Sequence, residues 1–470
     1  MNAPFSSLAL KPELLTNLET LKYLVMTPIQ SESLPAIIDG KDVIGQAKTG
    51  SGKTAAFGLG LLQRLNVGKF WIQCLVLCPT RELADQVAIE IRQLARGIHN
   101  VKVLTLCGGM PFGPQKGSLE HGAHIIVGTP GRIEDHSRKG TLDLSQVQTF
   151  VLDEADRMLD MGFLDAVDRI HDQLPFQRQT LLFSATFPQD IKLLSQRVTQ
   201  GAAHVKVDAE HDAASILQLL YRMEDRDGRT HALMAILNHH QPGSALVFCN
   251  TKQLTLDVSA ELRSQGYSAQ ALNGDLDQKD RGRRLLCFAN GSLSVLVATD
   301  VAARGLDIES LDLVVNYHLP KDPEVHTHRV GRTGRAGSIG TACSIGAPGE
   351  DSRIELLEGM TGTQFKRIPV PDLPPSSRPS KPAMVSLQID GGKKHKLRPG
   401  DIVGALTANT GIPGDSVGKI NVTDNTTVVA VARMHADKAL SVLKGERIKG
   451  KSFKARIISD RPWSRGTRTP

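Results

Sequence analysis

Short apolar runs alternate with amphipathic segments through the first 210 residues. The runs lie at 74–78, 103–106, 124–127, 150–152 and 180–183. Continuous apolar runs of this kind are typical of strands covered on both faces, and the segments between them have helical periodicity. The pattern predicts a parallel sheet between helices, with ligand-binding loops at the carboxyl ends of the strands.

The same pattern returns further along the chain. Residues 74–83 resemble 245–254 at an offset of 171, residues 106–109 echo 272–275 at 166, and residues 127–129 echo 297–299 at 170. Chance similarity of buried strands explains one match better than three matches in order. We therefore expect two tandem parallel-sheet domains of one design, at 1–210 and 211–370, with the break near 208–214.

A third, smaller domain is predicted after a linker rich in Pro and Ser at 371–383. Beyond it the pattern predicts strands and helices in the order βαββαβ, at 384–389, 401–409, 418–422, 426–433, 436–443 and 453–458. This is the order of an RRM-like domain, expected over 384–460. Residues 461–470, with three Arg and two Pro, are expected to form a disordered basic tail.

The basic character of the chain is confined to its C-terminal end. Residues 382–470 carry a net charge of +9, from 16 Lys and Arg against 7 Asp and Glu, whereas residues 1–381 carry −2. A concentrated excess of this kind indicates a polyanionic partner, although a solvated charged surface is the alternative.

The composition also bears on the compartment. None of the six cysteines forms a CxxC pair and several lie inside apolar runs, so we expect reduced core residues and neither disulfides nor zinc ligands. No apolar run approaches membrane-spanning length, and residues 1–15 lack a signal-peptide pattern. These features predict a soluble, cytoplasmic protein without membrane association.

A glycine-rich turn lies between the apolar residues 42–44 and a helix-like segment at 55–59. Its residues are Ala47, Lys48, Thr49, Gly50, Ser51, Gly52, Lys53 and Thr54. Inward-pointing backbone N–H groups, the Lys53 ammonium and the Thr54 hydroxyl are typical of a cradle for nucleotide phosphates and Mg²⁺. A helix start with ordinary glycines is the alternative. The second copy of the repeat lacks this turn, so one domain is expected to hold the phosphates.

An acidic cluster, Asp153-Glu154-Ala155-Asp156, follows the apolar run at 150–152. Asp153 could hold Mg²⁺ while Glu154 orients and deprotonates an attacking water. Alone, such a cluster is usually a solvated loop. In the same predicted sheet as the glycine-rich turn, it indicates a metal and water site.

These two motifs, within about ten ordered motifs over residues 5–340, resemble the DEAD-box RNA helicases, ATP-dependent enzymes built from two RecA-like domains. The resemblance implies ATP and Mg²⁺ as cofactors, and RNA as partner. It implies that Gln30 and the isolated aromatic Phe5 lie at the adenine and that Asp307 meets the ribose. Lys22 stands where the family usually has Gly. The implied catalytic residues are Lys53, Asp153, Glu154, Arg332 and Arg335.

The same resemblance implies which residues contact RNA. In the first domain they are Pro79, Thr80, Arg81, Gly108, Gly109, Thr129, Pro130, Gly131 and Arg132. In the second domain they are Asn250, Thr251, Gln278, Arg281 and Thr299. Short polar side chains, glycines and helix starts suit contacts with the RNA backbone. For Arg81 an internal salt bridge is the alternative.

Two further motifs are implied to couple ATP to movement of the domains. Ser184, Ala185 and Thr186 resemble the element that links the ATP state to domain closure. The arginines at 329, 332 and 335 could form a basic surface face. In the family pattern Arg332 and Arg335 instead reach the γ-phosphate when the two domains close.

The C-terminal domain resembles the RNA-binding module of the bacterial DbpA subfamily, through residues 391–401, 418–420 and 449–451. That resemblance implies recognition of a hairpin in 23S ribosomal RNA during assembly of the large ribosomal subunit. Its strand at 426–433 lacks the aromatic residues on which RRM strands usually stack bases. The candidate contacts, each with a solvated lysine or arginine as the alternative, are Lys393, Lys394, Lys396, Arg398, Lys419, Lys449, Lys451 and Lys454.

The sequence therefore predicts an RNA-dependent ATPase and helicase that unwinds short duplexes locally and is directed to ribosomal RNA. Two alternatives stay open: a generalist RNA helicase with a nonspecific basic tail, and an ATP-gated RNA clamp or chaperone. None of these functions requires an oligomer.

Overall fold

The computed structural model describes residues 3–47, 50–207, 216–224, 228–303, 311–334, 340–374, 379–408 and 410–458. These residues form two compact units, one holding the described residues up to 207 and the other those from 216 onward. The predicted break at 208–214, the tail at 461–470 and part of the predicted linker, at 375–378, lie outside the described residues.

The first unit contains a seven-stranded parallel sheet. Its strands are β1 (Val43–Gln46), β2 (Cys74–Leu77), β3 (Val103–Leu106), β4 (Ile125–Gly128), β5 (Thr149–Leu152), β6 (Gln179–Ser184) and β7 (Ala203–Lys206), in the order β3-β4-β2-β5-β6-β1-β7. Its helices are α1 (Pro12–Thr20), α2 (Pro28–Ile38), α3 (Lys53–Arg64), α4 (Arg81–Leu94), α5 (Phe112–Glu120), α6 (Pro130–Arg138), α7 (Ala155–Asp160), α8 (Leu164–His171) and α9 (Gln189–Val198).

The strands of this sheet are buried on both faces. In β2, Val76 packs into the hydrophobic cluster on one side of the sheet, while Leu75 and Leu77 pack into the cluster on the other side. The same alternation places Val151 of β5 on one side and Phe150 on the other. Burial on both faces explains why the strands are continuously apolar and not alternately polar.

The second unit contains a sheet of the same design. Its strands are β8 (Ile216–Arg222), β9 (Ala245–Phe248), β10 (Ala269–Leu272), β11 (Val295–Ala298), β12 (Leu313–Asn316), β13 (Gly340–Gly346) and β14 (Lys366–Pro369), in the order β10-β11-β9-β12-β13-β8-β14. The helices among its described residues are α10 (Arg229–His240), α11 (Lys252–Ser264), α12 (Gln278–Ala289), α13 (Asp300–Ala303), α14 (Pro323–Val330) and α15 (Asp351–Thr361).

The two strand orders correspond position by position, with β2 matching β9 and β3 matching β10. The likeness extends to side chains. The Thr80 hydroxyl accepts a hydrogen bond from Leu83 N at 3.3 Å, and the Thr251 hydroxyl, 171 residues later, accepts one from Leu254 N at 3.2 Å. The predicted tandem of RecA-like parallel sheets is therefore confirmed.

A four-stranded antiparallel sheet completes the second unit. Its strands are β15 (Met384–Ile389), β16 (Val417–Val422), β17 (Thr427–Ala432) and β18 (Ala455–Ile457), in the order β16-β17-β15-β18, and its helices are α16 (Pro399–Thr407) and α17 (Ala436–Gly445). The predicted βαββαβ order is confirmed. The first helix begins two residues before the predicted start, because the Asp401 carboxylate accepts a hydrogen bond from Arg398 N at 2.7 Å and Pro399 suits a first helical turn.

The C-terminal sheet is docked against the second parallel-sheet domain at one turn, residues 290–292, which we call the docking turn. The side-chain amide of Asn290 donates to the Ser386 hydroxyl at 2.8 Å, and the Ser292 hydroxyl lies 2.7 Å from the same oxygen. Ser386 is only 1% exposed. A Cβ placed at Gly291 would lie 3.6 Å from Met384 Cγ. These contacts fix where the C-terminal domain packs against the second parallel-sheet domain.

No helix in the described ranges has the length and apolar character needed to cross a bilayer. All six cysteines are buried thiols, and burial raises the pKa of Cys74 and of Cys107 to about 12. At neutral pH these thiols are therefore protonated, which suits a packing role.

Lys22 adopts a left-handed backbone, with φ +62°, at the end of α1. Its N–H donates to Glu19 O at 3.0 Å and the next N–H, of Tyr23, donates to Leu18 O at 2.9 Å, so this conformation closes the helix. We expect Lys22→Gly to raise the free energy of unfolding by about 0.5–1 kcal/mol, because glycine removes the left-handed strain but adds unfolded-state entropy. Urea denaturation measures this. Lys41→Gly, where φ is not positive, should give no gain.

Candidate nucleotide and RNA sites

The glycine-rich turn connects β1 to α3, and its geometry requires glycine. Gly50 and Gly52 have φ of +80° and +92°. A Cβ on Gly52 would lie 2.4 Å from the side-chain nitrogen of Gln30, so a larger residue would have to displace that side chain as well as adopt a strained backbone. Lys48 and Thr49 lie outside the described residues.

Gln30 fastens helix α2 to this turn. Its side-chain oxygen accepts from Thr27 N at 2.9 Å and its side-chain nitrogen donates to Gly52 O at 3.0 Å. Phe5 is buried, with its ring 6.4 Å from that of Tyr23. The structure therefore places Gln30 directly against the glycine-rich turn and Phe5 within the core.

The polar atoms near the turn fit a phosphate-bound cation. Lys53 is buried and donates to Ala47 O at 2.8 Å. The hydroxyl of Ser51 and one carboxylate oxygen of Asp153 are buried without a hydrogen-bond partner among the described residues. Thr54 lies in the first turn of α3. Hydroxyl and carboxylate oxygens that lack partners are suitable donors for Mg²⁺, which usually takes its other ligands from phosphates and water.

Burial raises the pKa of Asp153 to about 7; Lys53 opposes this and the neighbouring Glu154 adds to it. A bound cation would therefore favour the ionised carboxylate. In the described part of the chain no three His, Cys, Asp or Glu side chains are placed to hold a metal by themselves. An ion at Asp153 would therefore take its other ligands from outside this set of side chains, as hydroxyl, phosphate or water oxygens.

Glu154 carries backbone strain at the end of β5. It adopts φ +54° and ψ +53°, a left-handed conformation that is unusual for a residue other than glycine, and α7 begins at the next residue. Its side chain is 7% exposed. Strained residues of this kind concentrate at functional sites, where the surrounding structure holds a side chain in one direction.

Asp156 joins the acidic cluster to the segment 184–186. One of its carboxylate oxygens accepts from Thr186 N at 2.9 Å and from the Thr186 hydroxyl at 3.0 Å. Its own N–H donates to the Ser184 hydroxyl at 3.2 Å, and Ala47 N donates to Ser184 O at 3.0 Å. Burial alone would raise the pKa of Asp156, but these hydrogen bonds and the charge of Arg157 hold it below its usual range.

The segment 184–186 therefore contacts both the acidic cluster and the glycine-rich turn. Ala185 lies between the two residues that make these contacts. Asp156 was not among the candidate site residues, although its place in the four-residue acidic motif was a signal for it.

The proposed RNA loops of the first unit lie together at the carboxyl ends of three adjacent strands, β2, β4 and β3. Gly108 N donates to the Thr129 hydroxyl at 3.3 Å, and the Arg132 guanidinium donates to Met110 O at 2.9 Å. These bonds connect the loop that follows β3 with the start of α6. The candidates in these loops are Pro79, Thr80, Arg81, Gly108, Gly109, Thr129, Pro130, Gly131 and Arg132.

Arg81 has both an internal partner and an unused donor. Its Nε lies 3.5 Å from an Asp85 carboxylate oxygen, one turn further along α4. Its Nη1 is buried without a hydrogen bond to any described residue. The salt bridge expected as the alternative is present, and it leaves one donor for another ligand.

The candidates of the second unit occupy the equivalent edge of their sheet. Asn250 and Thr251 follow β9 and Thr299 follows β11, the strand beside it. Gln278 and Arg281 lie in the first turns of α12, where the Arg281 guanidinium donates to Ala302 O at 2.9 Å. Asp307 and Arg335 lie outside the described residues.

Arg329 is a buried hub and not part of a surface face. It is 2% exposed, and its guanidinium donates to both Asp300 carboxylate oxygens at 2.6 and 2.8 Å, to Asn316 Oδ1 at 3.0 Å and to His318 O at 2.8 Å. Arg332 is also buried, at 7%. The interpretation of these two arginines as an exposed basic face is therefore wrong, because both side chains are inside the fold.

Three loops meet at one end of the C-terminal sheet. Lys393 N donates to Thr423 O at 2.8 Å, Lys394 N to Asp424 O at 3.0 Å, and Asp390 N to Lys454 O at 2.9 Å. A Cβ on Gly392 would lie 2.2 Å from Thr423 O, so glycine is required for this approach. We call the exposed side chains at these loops the basic end; they are Lys393, Lys394, Lys396, Arg398, Lys449, Lys451 and Lys454.

Lys449 differs from the other members of the basic end because its ammonium is engaged within the protein. It donates to Lys396 O at 3.0 Å and pairs with Asp401 at 2.9 Å. Its side chain therefore holds the 396–401 segment. Lys419 is exposed on β16 and is not in these loops, so the structure does not group it with the basic end.

The centre of the sheet face opposite α16 and α17 offers no surface for base stacking. Val385 and Leu387 of β15 point into the core, so Met384 and Ser386 point to the opposite face. Ser386 is covered by the docking turn, and Ala430 of β17, next to it in register, is also fully buried. The centre of this face is therefore buried by protein contacts, and its described residues carry no aromatic ring on which a base could stack.

Comparison with known proteins matches three family models to the three sheets in order. Residues 27–194 match the DEAD/DEAH box helicase model, residues 228–337 the helicase conserved C-terminal domain, and residues 386–457 the DbpA RNA binding domain.

Individual relatives cover nearly the whole chain. It is 52% identical over 455 residues to the ATP-dependent RNA helicase DbpA of Escherichia coli, covering 97% of this chain and 99% of that protein. It is 36% identical over 471 residues to DbpA of Bacillus subtilis, covering 96% and 98%.

A solved structure, S. cerevisiae Dbp5 bound to RNA and ADP BeF3, superposes with a TM-score of 0.72 at 31% identity, covering 78% of this chain and 96% of that one. From its domains and its relatives, the chain belongs to the DbpA family of DEAD-box ATP-dependent RNA helicases.

Proposed function

We propose that the C-terminal domain directs this helicase to a hairpin in 23S ribosomal RNA, where it unwinds short duplexes during assembly of the large ribosomal subunit in the cytoplasm. The observation that carries this proposal is the basic end, where exposed lysines from separate loops converge on a domain that matches the DbpA RNA binding domain. Because loops and not a stacking face present these charges, recognition of a folded RNA shape is favoured over a single-stranded sequence.

The residues around the glycine-rich turn would divide the binding of ATP among them. Backbone N–H groups of Gly50, Ser51 and Gly52 would bind the phosphates, and Lys53 would leave Ala47 O to neutralise them. Thr54 and Asp153 would hold Mg²⁺, which supplies positive charge against the β- and γ-phosphates. Asp307 would contact the ribose and Gln30 the adenine.

Hydrolysis requires a base and a means of stabilising negative charge. Glu154, held by its left-handed backbone, would orient the attacking water and accept its proton. Arg332 and Arg335 would stabilise the charge that develops on the γ-phosphate. Asp156, through Ser184 and Thr186, would make the acidic cluster sensitive to the ATP state, so that ATP and RNA binding are thermodynamically coupled.

Targeting is tested by comparing ATPase stimulation by a 23S ribosomal RNA transcript and by an unrelated RNA of equal length. We expect the ribosomal transcript to give at least tenfold greater stimulation at subsaturating RNA, since specific binding exceeds nonspecific binding by orders of magnitude. The variant Lys393→Ala/Lys394→Ala/Lys451→Ala should lose most of this preference and keep its response to saturating unrelated RNA.

The matched control is Lys366→Ala on β14, an exposed lysine remote in sequence from the basic end, which should behave like the unaltered protein. Point substitutions are cleaner than deletion of residues 384–470, because deletion would leave Asn290 and Ser292 without Ser386. Equal stimulation of the unaltered protein by both RNAs would support the alternative, a generalist helicase.

A further inference from the structure

Helix α12 carries more positive side chains than the neighbouring residues bind. It contains Lys279, Arg281, Arg283 and Arg284 against one carboxylate, Asp280. The guanidinium groups of Arg281 and Arg284 donate to Ala302 O and Ala271 O. In the described ranges, by contrast, no hydrogen bond or ion pair engages the side chains of Lys279 and Arg283, so these two cations are available to a ligand.

Carboxylates near α12 compensate its positive charge only in part. Burial lowers the pKa of the Arg284 guanidinium; Asp280 and Asp277 partly offset this, and the nearby positive charges of Arg263 and Arg283 lower it further. Three guanidinium groups close enough to repel one another cost free energy on a folded surface. A polyanion that binds there would relieve the repulsion.

The position of α12 makes RNA the natural polyanion. Its first turns carry Gln278 and Arg281, which the resemblance to the DEAD-box helicases implies as RNA contacts of the helicase core. Its carboxyl end leads into the docking turn, where Asn290 binds Ser386 of the C-terminal domain. Lys279 and Arg283 are four residues apart and lie on one face of the helix, and Asn290, the residue that follows the helix, is seven residues beyond Arg283. The three residues span about 16 Å along the helix axis.

Lys419 of the C-terminal domain follows a residue that approaches the docking turn. A Cβ on Gly418 would lie 2.6 Å from Met384 Cε, and Met384 in turn packs beside Gly291 of the docking turn. Lys419, the next residue on β16, is exposed, and no described residue forms a hydrogen bond or ion pair with its side chain. Unpartnered cations therefore lie on both sides of the contact between the two domains.

We propose that the RNA segment joining the helicase core to the C-terminal domain crosses a bridging face formed by Lys279, Arg283 and Lys419, which bind its phosphates. This inference rests on the proposed RNA contacts at Gln278 and Arg281. Contacts with phosphates carry no sequence information, so the bridging face adds affinity equally for any RNA long enough to reach both domains.

The test compares single charge reversals in the full-length protein. Arg283→Glu and Lys279→Glu change the bridging face. The control, Lys366→Glu, changes the charge by the same amount on β14. Arg284 of α12 bonds to β10 at one edge of the sheet, and β14 forms the opposite edge. Binding of a 23S ribosomal RNA transcript and of an unrelated RNA of equal length is measured between 50 and 200 mM salt. The two bridging-face variants should bind both RNAs roughly tenfold more weakly, and the salt slope should fall by about 0.7 for each lost phosphate contact.

Lys366→Glu should stay within about twofold of the unaltered protein with the same salt slope. Equal affinities and slopes for Arg283→Glu, Lys279→Glu and Lys366→Glu would overturn the bridging face. If Arg283→Glu unfolds, Lys279→Glu and the milder Arg283→Gln decide the question, since Lys279 is exposed.

Photocross-linking gives an independent readout. RNA containing 4-thiouridine should cross-link both to α12 and to the peptide that contains Lys419 in the unaltered protein, and cross-links to α12 without any to the Lys419 peptide would contradict the proposal. Failure of the proposed ribosomal targeting would give a different result from failure of the bridging face. The unaltered protein would then bind both RNAs equally, while the bridging-face variants would still show weaker binding and a smaller salt slope.

Discussion

Glu154→Gln should lower the RNA-stimulated rate of ATP hydrolysis by about 10²–10⁴-fold, because glutamine keeps the shape of the side chain but cannot accept a proton from the attacking water. ATP binding should persist, since the proposed phosphate contacts come from the glycine-rich turn and not from Glu154. Single-turnover hydrolysis separates the chemical step from ATP binding. The control is Asp165→Asn, an exposed carboxylate of α8 that should hydrolyse ATP at the normal rate.

The same variant separates a helicase from a clamp. In a strand-displacement assay we expect Glu154→Gln with ATP to hold RNA without repeated displacement, while the unaltered protein displaces strands in proportion to turnover. ATP-dependent retention without displacement by the unaltered protein would favour the clamp. Hydrolysis by Glu154→Gln within threefold of the normal rate would contradict the assignment of Glu154 as the base.

Arg329→Met should destabilise the second parallel-sheet domain by about 3–5 kcal/mol. The substitution removes the guanidinium but leaves the Asp300 carboxylate without its bidentate partner and leaves Asn316 Oδ1 buried without that donor. Breaking one side of a buried ion pair leaves a charge without its partner. The Asp300 side chain is 26% exposed, so water screens part of that charge, but the hydrogen bonds of Arg329 to Asn316 and His318 are lost as well. Hydrogen exchange of amides in β9 and β12 measures the loss locally.

A surface pair provides the comparison. Arg353 lies 3.7 Å from a Glu350 carboxylate and is 35% exposed, so Arg353→Met should cost less than about 1 kcal/mol. Adding Asp300→Asn to Arg329→Met should cost less than the sum of the two single changes, because the second change removes the unpaired carboxylate. Strict additivity would mean that the two side chains do not act as a pair.

The two parallel sheets could be predicted from sequence because strands that are buried on both faces consist of continuous apolar residues. Each strand is a short apolar run, and the repeat offset of 171 falls on Thr80 and Thr251, which cap equivalent helices. The strand Met384–Ile389 was predicted with the same bounds that the structure shows. The roles of individual site residues remain predictions that follow from the family resemblance.

Contacts between side chains that are distant in sequence produce no such pattern. Asn290 and Ser386 are 96 residues apart, and neither an Asn-Gly-Ser turn nor a serine in a strand indicates a partner at that distance. Arg329 and Arg332 belong to one motif, but sequence alone could not identify Arg329 as the hub bonded to Asp300. Lys449 resembles its exposed neighbours in sequence, and only its geometry shows that it pairs with Asp401. These contacts depend on three-dimensional packing, which local periodicity does not encode.

The contact between the docking turn and the C-terminal domain has a consequence for protein engineering. A chimera that carries residues 384–458 on another helicase would transfer the basic end but not its orientation, unless the recipient also presented an amide and a hydroxyl equivalent to those of Asn290 and Ser292. Transfer of RNA preference and transfer of RNA-stimulated turnover are therefore separable traits, and a successful graft would need to exchange the recipient turn together with the domain.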